Sequence, residues 1–152
     1  MPFTTLIIAS ELRLHLEDPD WAVVDCRFSL DDPNYVILDA RSALHFRGEV
    51  EPIDSVARHV PGAPSVPCEG NVSPDGKFLP PGILCRRFDK FIKSVPTENV
   101  ICYCGSGVTA AHNIFAIAYA GLGMGRLYAG SWSDWITDPA RPIVKGAESA
   151  QE

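Results

Sequence analysis

Two apolar runs near the middle of the chain, "YVILDAR" (35–41) and "NVICYC" (99–104), are short, rich in aliphatic residues and bounded by turn residues. Both read as strands buried on two faces, because neither alternates and neither is long enough for a helix. "WAVVDCR" (21–27) has the same character and predicts another strand. Between the runs the pattern changes to helical. A short helix is expected over 42–48, ending near Gly48, then one over 83–93 and a nearly all-apolar one over 108–120. Gly121 follows that last helix as its C-terminal stop. "RLYAG" predicts a further strand and "SWSDWITD" a short helix. At the N-terminus "TTLI" opens as a strand, and Ser10 is a candidate N-cap for a helix reaching Leu16. The stretch from "HVPGAPSVP" to "FLPPG" is broken by proline and glycine, with a turn at "SPDG" (73–76). The last dozen residues are polar and are expected to be loose.

Strands alternating with helices imply an α/β domain with a mainly parallel central sheet and helices on both faces. A chain of 152 residues suits one such domain. Ligands of these sheets bind beyond the carboxyl ends of the strands. Cys104 ends a predicted strand and sits on that edge.

Charge and composition narrow the partners. The net charge is −6 and no dense cluster of lysine and arginine occurs, which argues against nucleic acid. The longest apolar stretch, 114–122, is far too short to span a membrane, and the apolar start has no basic flank of a secretory signal. The five cysteines are odd in number and irregularly spaced, which suits a reducing cytoplasm better than a disulfide scaffold. Cys26, Cys68 and Cys85 read as small apolar residues. Cys102, Cys104 and His112 lack C-x-x-C spacing and a fourth ligand, so no metal is expected. "GLGMG" (121–125) imitates a dinucleotide fingerprint but follows a helix where that motif must follow a strand. No cofactor is expected either.

The loop "CGSGVT" (104–109) carries the candidate chemistry. A free thiol titrates near pH ~8.5 and needs help to be a thiolate at neutral pH. Gly105 and Gly107 allow backbone shapes that turn successive amides inward. The helix beginning near Val108 directs its positive end at the same spot. Ser106 and Thr109 add hydroxyl donors. Such a cradle stabilises a thiolate or a terminal persulfide sulfur without a charged side chain.

"CGSGVTA", "AHN…AYAGL" and "RLYAGSWSDW…DPARPI" resemble the active-site half of a rhodanese-type sulfurtransferase of the 3-mercaptopyruvate kind. "ILDARS…FRGEVEPIDSVARHVPGA" is similar to the opening of the same catalytic domain. The resemblance implies that Cys104 takes a sulfane sulfur as a persulfide and passes it to a thiol or cyanide. It implies that Gly105, Ser106, Gly107, Val108 and Thr109 cradle that sulfur, and that Asp39 and Arg41 form a structural pair. Arg or Lys beside the cysteine would suit thiosulfate, a dianion; the uncharged Gly105 and Ser106 favour 3-mercaptopyruvate, whose enolate leaving group Ser106 would assist.

The chain also departs from that family. His45 stands where the family has an arginine for the donor's anionic group, and histidine lacks the arginine fork. Arg47 is two residues away, which on a helix is another face. Relatives of this kind have two domains with the site between them, and this sequence has room for one. Residues 1–34 resemble the start of a first, non-catalytic domain, residues 35–145 the catalytic domain, and 146–152 a loose tail. Asp25 and Arg27 stand fourteen residues before Asp39 and Arg41, as if two domains had been spliced near residue 34. The strand at 22–26 is then surplus: it adds to the sheet, covers an edge, or pairs with a second copy as a homodimer.

Two functional expectations follow. One is a sulfurtransferase acting through Cys104; the other is a sulfur-carrier or binding module disabled by His45 and the missing domain. A cation reaching the loop would discriminate between them. A cysteine phosphatase is excluded, because it needs an arginine six residues after the cysteine and position 110 is alanine.

Overall fold

The structure, a computed structural model, describes residues 34–93 and 95–146. The strand and helix expected before residue 34, the surplus strand at 22–26 and the end of the tail lie outside the described residues.

Among the described residues three parallel strands form a sheet in the order β1 (Val36–Asp39), β2 (Val100–Tyr103), β3 (Arg126–Leu127). The register pairs Leu38 with Cys102 and Asp39 with Tyr103, so the carboxyl ends of β1 and β2 are level. A single parallel bridge from Asp39 to Ser65 lays the loop after "HVPGA" along the same edge. β1 and β2 are buried on both faces, as their unbroken apolar runs require. Leu38, Val100 and Cys102 point to one face, under α2 (Pro81–Ile92) and α3 (Val108–Tyr119). Ile37, Ile101 and Tyr103 point to the other, where they meet Trp132 and Trp135 of α4 (Ser131–Trp135). Helices therefore cover both faces of the sheet. Among the described residues no helix is long and apolar enough to cross a membrane.

The punctuation signals end elements where expected. α1 (Ala43–Arg47) stops at Gly48, whose left-handed φ of 71° lets its amide reach back to His45. A Cβ there would stand 2.3 Å from the Ala57 carbonyl oxygen, so only glycine fits. α2 begins two residues before the expected start, with Pro81 in its first turn, where a missing N–H loses nothing. The "SPDG" turn closes a small hairpin in which Val72 bridges Phe78 and the Ser73 amide donates to Lys77. β3 has only two residues, because "YAG" leaves the sheet to begin the turn into α4.

Candidate active site

The site is built where β2 gives way to α3. Cys104 follows the last residue of β2, is 2% exposed, and sits between the sheet edge and the first turn of α3. Gly107 makes the turn possible. Its φ is 87°, and a Cβ would lie 2.7 Å from the Ala129 carbonyl oxygen. From there the Gly107 amide donates to the Cys104 Sγ at 3.1 Å. Gly105 has no such constraint: its φ is not left-handed and a Cβ would meet nothing. Of the two glycines expected to allow such backbone shapes, Gly107 alone takes up the left-handed one, while Gly105 leaves open space above the loop.

The electrostatics of Cys104 are a contest. Burial is the largest single influence and pushes the thiol pKa up. Hydrogen bonds from the Thr109 hydroxyl, the amides of Ala110 and Ser106, and the Ser131 hydroxyl together outweigh it. The thiol therefore titrates below its ordinary value, with no cationic side chain among the causes. Cys102, two residues earlier and in the same core cluster, shows what burial does without that cradle: burial first, then the charge of Cys104, push its thiol up to about 12.

Ser131 has a role that the sequence did not disclose. It adopts a left-handed φ of 52°, uncommon for a residue with a side chain, and is fully buried. Its hydroxyl accepts the Cys104 amide at 3.0 Å and stands 3.9 Å from the sulfur. The amides of Trp132 and Ser133 donate to the carbonyls of Cys104 and Gly105 at 2.9 and 3.0 Å. α4 thus clamps the loop from behind. In the sequence the stretch "GSWSDW" alone points toward it.

A cavity of about 300 Å³ opens over this loop. Gly105, Ser106 and Thr109 line its loop side, with Ser133 beside them. Ala40, Arg41, Ser42 and His45 line it from the end of β1 and from α1. Glu51, Ile53 and Asp54 come from the following loop, and Cys68 with Glu69 from the 3-10 turn Cys68–Asn71. Asp54 is tied to α4, because its Oδ2 accepts the Ser133 hydroxyl at 3.1 Å.

Arg41 is the cation in this wall. It is 6% exposed and forks onto Asp39, with Nη2–Oδ2 at 2.6 Å and Nε contacts at 3.1 Å. Nη2 also donates to the Arg58 carbonyl at 2.8 Å, and the guanidinium lies 4.8 Å from the centre of a Trp132 ring. Among the described residues Nη1 has no hydrogen-bond partner, and it lies 3.8 Å from a Glu51 carboxylate oxygen. The other two residues considered for donor binding separate. His45 lines the cavity, its Nδ1 2.7 Å from the Ser42 hydroxyl. Arg47 does not line it, since the next helical face takes its side chain to an exposed pair with Glu49 at 2.6 Å. Val108 points away as well, its side chain 75% exposed.

His112, weighed in the sequence as a metal ligand, has packing and hydrogen-bonding partners in the fold, as do His59 and Trp132. His112 stacks on Phe78 with ring centres 4.6 Å apart, and its Nδ1 lies 3.2 Å from the Asn71 amide nitrogen. His59 bonds the Phe46 carbonyl through Nδ1 at 2.8 Å. Trp132 is buried in the core, its indole donating to the Val56 carbonyl at 2.7 Å. Among the described residues no three histidine, cysteine or carboxylate side chains are grouped to hold a metal ion.

Comparison with known proteins agrees with this geometry. Residues 8–138 match the family model of the rhodanese-like domain. The chain is 53% identical over 141 residues to a probable 3-mercaptopyruvate sulfurtransferase of Pseudomonas aeruginosa, covering 93% of this chain and 45% of that relative. It is 45% identical over 102 residues to the putative thiosulfate sulfurtransferase SseB of Mycobacterium tuberculosis, covering 66% of this chain and 35% of the relative. The chain therefore spans about half the length, or less, of these curated relatives. Among solved structures, the anaerobic ergothioneine biosynthesis enzyme from Chlorobium limicola superposes with a TM-score of 0.69 at 22% identity, over 77% of this chain and 29% of that one.

Proposed function

The chain belongs to the rhodanese-like domain family, and from that premise we propose that it is a sulfurtransferase whose Cys104 carries sulfane sulfur as a persulfide. The proposed donor is 3-mercaptopyruvate and the acceptor a small thiol or cyanide. The observation that carries this reading is the convergence of hydroxyl and amide donors on the Cys104 sulfur, which holds its thiol below the ordinary value.

The Cys104 thiolate attacks the sulfur of the donor. A sulfur–sulfur bond forms, the donor's carbon–sulfur bond breaks, and its electron pair leaves on carbon as the enolate of pyruvate. Protonation of that carbon releases pyruvate, with the Ser106 hydroxyl in reach of the cavity as a proton relay. The same donors that held the thiolate then hold the persulfide. An acceptor thiolate attacks the outer sulfur, and the bonding pair returns to Cys104. Backbone amides aimed at developing charge need no reorganisation during either step.

Two features support 3-mercaptopyruvate over thiosulfate. The positions after Cys104 carry no charge, and the cavity wall holds Glu51, Asp54 and Glu69 against Arg41, whose charge is matched by Asp39. A dianion meets about twice the repulsion that a monoanion does there. In this reading Arg41, in the cavity wall, supplies the positive charge toward the donor's single carboxylate. Steady-state turnover with each donor, in wild type and Cys104→Ser, tests it. Pyruvate formation faster than thiosulfate turnover, and lost in Cys104→Ser, is expected. Equal or faster use of thiosulfate would overturn the donor assignment, and turnover by the serine variant would overturn the mechanism.

A second reading, a module that carries sulfur without turning over free donor, is favoured by His45 standing in place of an arginine and by Arg47 lying outside the cavity. It is distinguished by a protein that accepts one charge of sulfur but shows no steady-state turnover.

A further inference from the structure

The cavity over the Cys104 loop is lined by a cysteine, Cys68, that the proposed reaction does not use. Cys68 begins the 3-10 turn that faces the Cys104 loop, and both its side chain and Thr109 line the same space. The placement is built in. The Cys68 amide donates to the Ala40 carbonyl at 3.2 Å, while the Ala40 amide donates to the Tyr103 carbonyl at 2.8 Å, so one residue joins the turn to the end of β2. The turn is also fastened to α3, one helical turn beyond Thr109. Asn71 Nδ2 donates to Asn113 Oδ1 at 2.7 Å, and Asn113 Nδ2 donates to the Val66 carbonyl at 2.8 Å. Both asparagines are fully buried. The Arg87 guanidinium holds the turn from the other side, through Asn71 Oδ1 at 3.1 Å and the Pro67 carbonyl at 2.8 Å.

We infer that Cys68 is an internal sulfur acceptor: resting on the persulfide reading above, the outer sulfur of the Cys104 persulfide passes to Cys68, with the Glu69 carboxylate taking the Cys68 proton. The Cys68 thiol donates to Glu69 Oε2 at 3.8 Å, a long contact but one within a sulfur hydrogen bond. In the step, the proton moves to Glu69 and the Cys68 sulfur bonds to the outer sulfur of the persulfide. The bond from that sulfur to Cys104 Sγ breaks, and its electron pair returns to Cys104 as a thiolate. One sulfur moves between two thiols, so no oxidant or reductant is needed. The persulfide also extends the reach, because its outer sulfur stands ~2 Å beyond Sγ.

The two thiols differ in the direction that the transfer requires. Cys104 is held below the ordinary thiol value, and Cys68 above it by burial and by the charges of Glu69 and Cys104. The lower thiol is the better leaving group, and the higher one, once deprotonated, the stronger nucleophile. Cys68 is also less buried than Cys104. Sulfur held there is presented nearer to solvent, and Cys104 is freed to react with a second donor.

The test is peptide mass spectrometry of the whole chain after anaerobic loading with excess 3-mercaptopyruvate, with persulfides trapped by alkylation. Wild type is expected to take two sulfurs, one each on the peptides containing Cys104 and Cys68. Cys68→Ser is expected to take one, at Cys104, and Cys104→Ser none. Glu69→Gln is expected to slow labelling of Cys68 by roughly tenfold; positioned proton transfer contributes more than that where solvent is excluded, and Glu69 is exposed. Sulfur on Cys104 but never on Cys68 in wild type overturns the relay and leaves the sulfurtransferase reading standing. A Cys104–Cys68 disulfide with loss of sulfide overturns it too, since the inner sulfur would then be the one attacked. Labelling of Cys68 in Cys104→Ser overturns it by showing direct reaction with donor. No sulfur on Cys104 in Cys68→Ser overturns both readings.

Discussion

Replacing Thr109 with valine removes one hydroxyl and little else. The two side chains share shape and β-branching, and position 109 lies in the first turn of α3, where both are tolerated. Of the groups that lower the Cys104 pKa, the Thr109 hydroxyl has the largest effect, opposing burial, which acts the other way. A hydrogen bond to a charged group is worth about 1.5–3 kcal/mol. At 1.36 kcal/mol per pKa unit, the Thr109→Val thiol should titrate about one to two units higher than wild type. The assay is the pH dependence of iodoacetamide alkylation of Cys104, followed by mass. At pH values below both midpoints the thiolate fraction, and with it the alkylation rate, should fall about ten- to a hundredfold. Thr109→Ser keeps the hydroxyl and should stay near wild type. An unchanged midpoint in Thr109→Val would refute the claim that the hydroxyl stabilises the thiolate. The amides of Ser106, Gly107 and Ala110 would then suffice.

Four further outcomes are expected. Gly107→Ala should destabilise the fold by about 2 kcal/mol or more, because it strains a left-handed φ of 87° and drives a Cβ to 2.7 Å from Ala129. Gly105→Ala should change stability by under about 0.5 kcal/mol, its Cβ meeting nothing, and urea midpoints of the two variants check the contrast. His45→Arg places a fork in the cavity wall and should lower KM for anionic donors about tenfold with kcat little changed; an unchanged KM for both donors would show that donor does not approach His45. Because the folded Cys104 pKa lies below its unfolded value, the unfolded chain binds more protons between the two. The stability difference between wild type and Cys104→Ser should therefore grow as pH rises from the depressed value to the ordinary thiol value. It should be lost as pH falls through the depressed value, and denaturation series across that window read the slope.

The strand–loop–helix around Cys104 was legible because each part has a local cause. An apolar run makes β2, a glycine makes the turn, and an apolar run with no breaker makes α3. The helix boundary at Gly48 was legible for a similar reason. The cavity was not. Its walls come from four separated segments, 40–45, 51–54, 68–69 and 105–109, and Ser133 closes it from a fifth. Only the register of β1 against β2 and the Asp39–Ser65 bridge bring them together. Ser131 was missed because its contact with Cys104 crosses 27 residues and depends on a left-handed backbone that no serine announces. Arg41 read as a structural partner of Asp39, which it is, but its place in the cavity wall depends on where Glu51 and Arg58 fall. Cys68 read as a small apolar residue for the same reason: nothing local says that it shares a cavity with the loop that follows Cys104.

The central claim is that Cys104 takes sulfur from a small donor. It is tested most directly by brief exposure of wild type and Cys104→Ser to 3-mercaptopyruvate, followed by peptide mass analysis of residues 94–126. One added sulfur on that peptide in wild type, absent from the serine variant, is the expected result. No added sulfur in a wild-type protein shown to be folded, or the same gain in Cys104→Ser, would contradict the account.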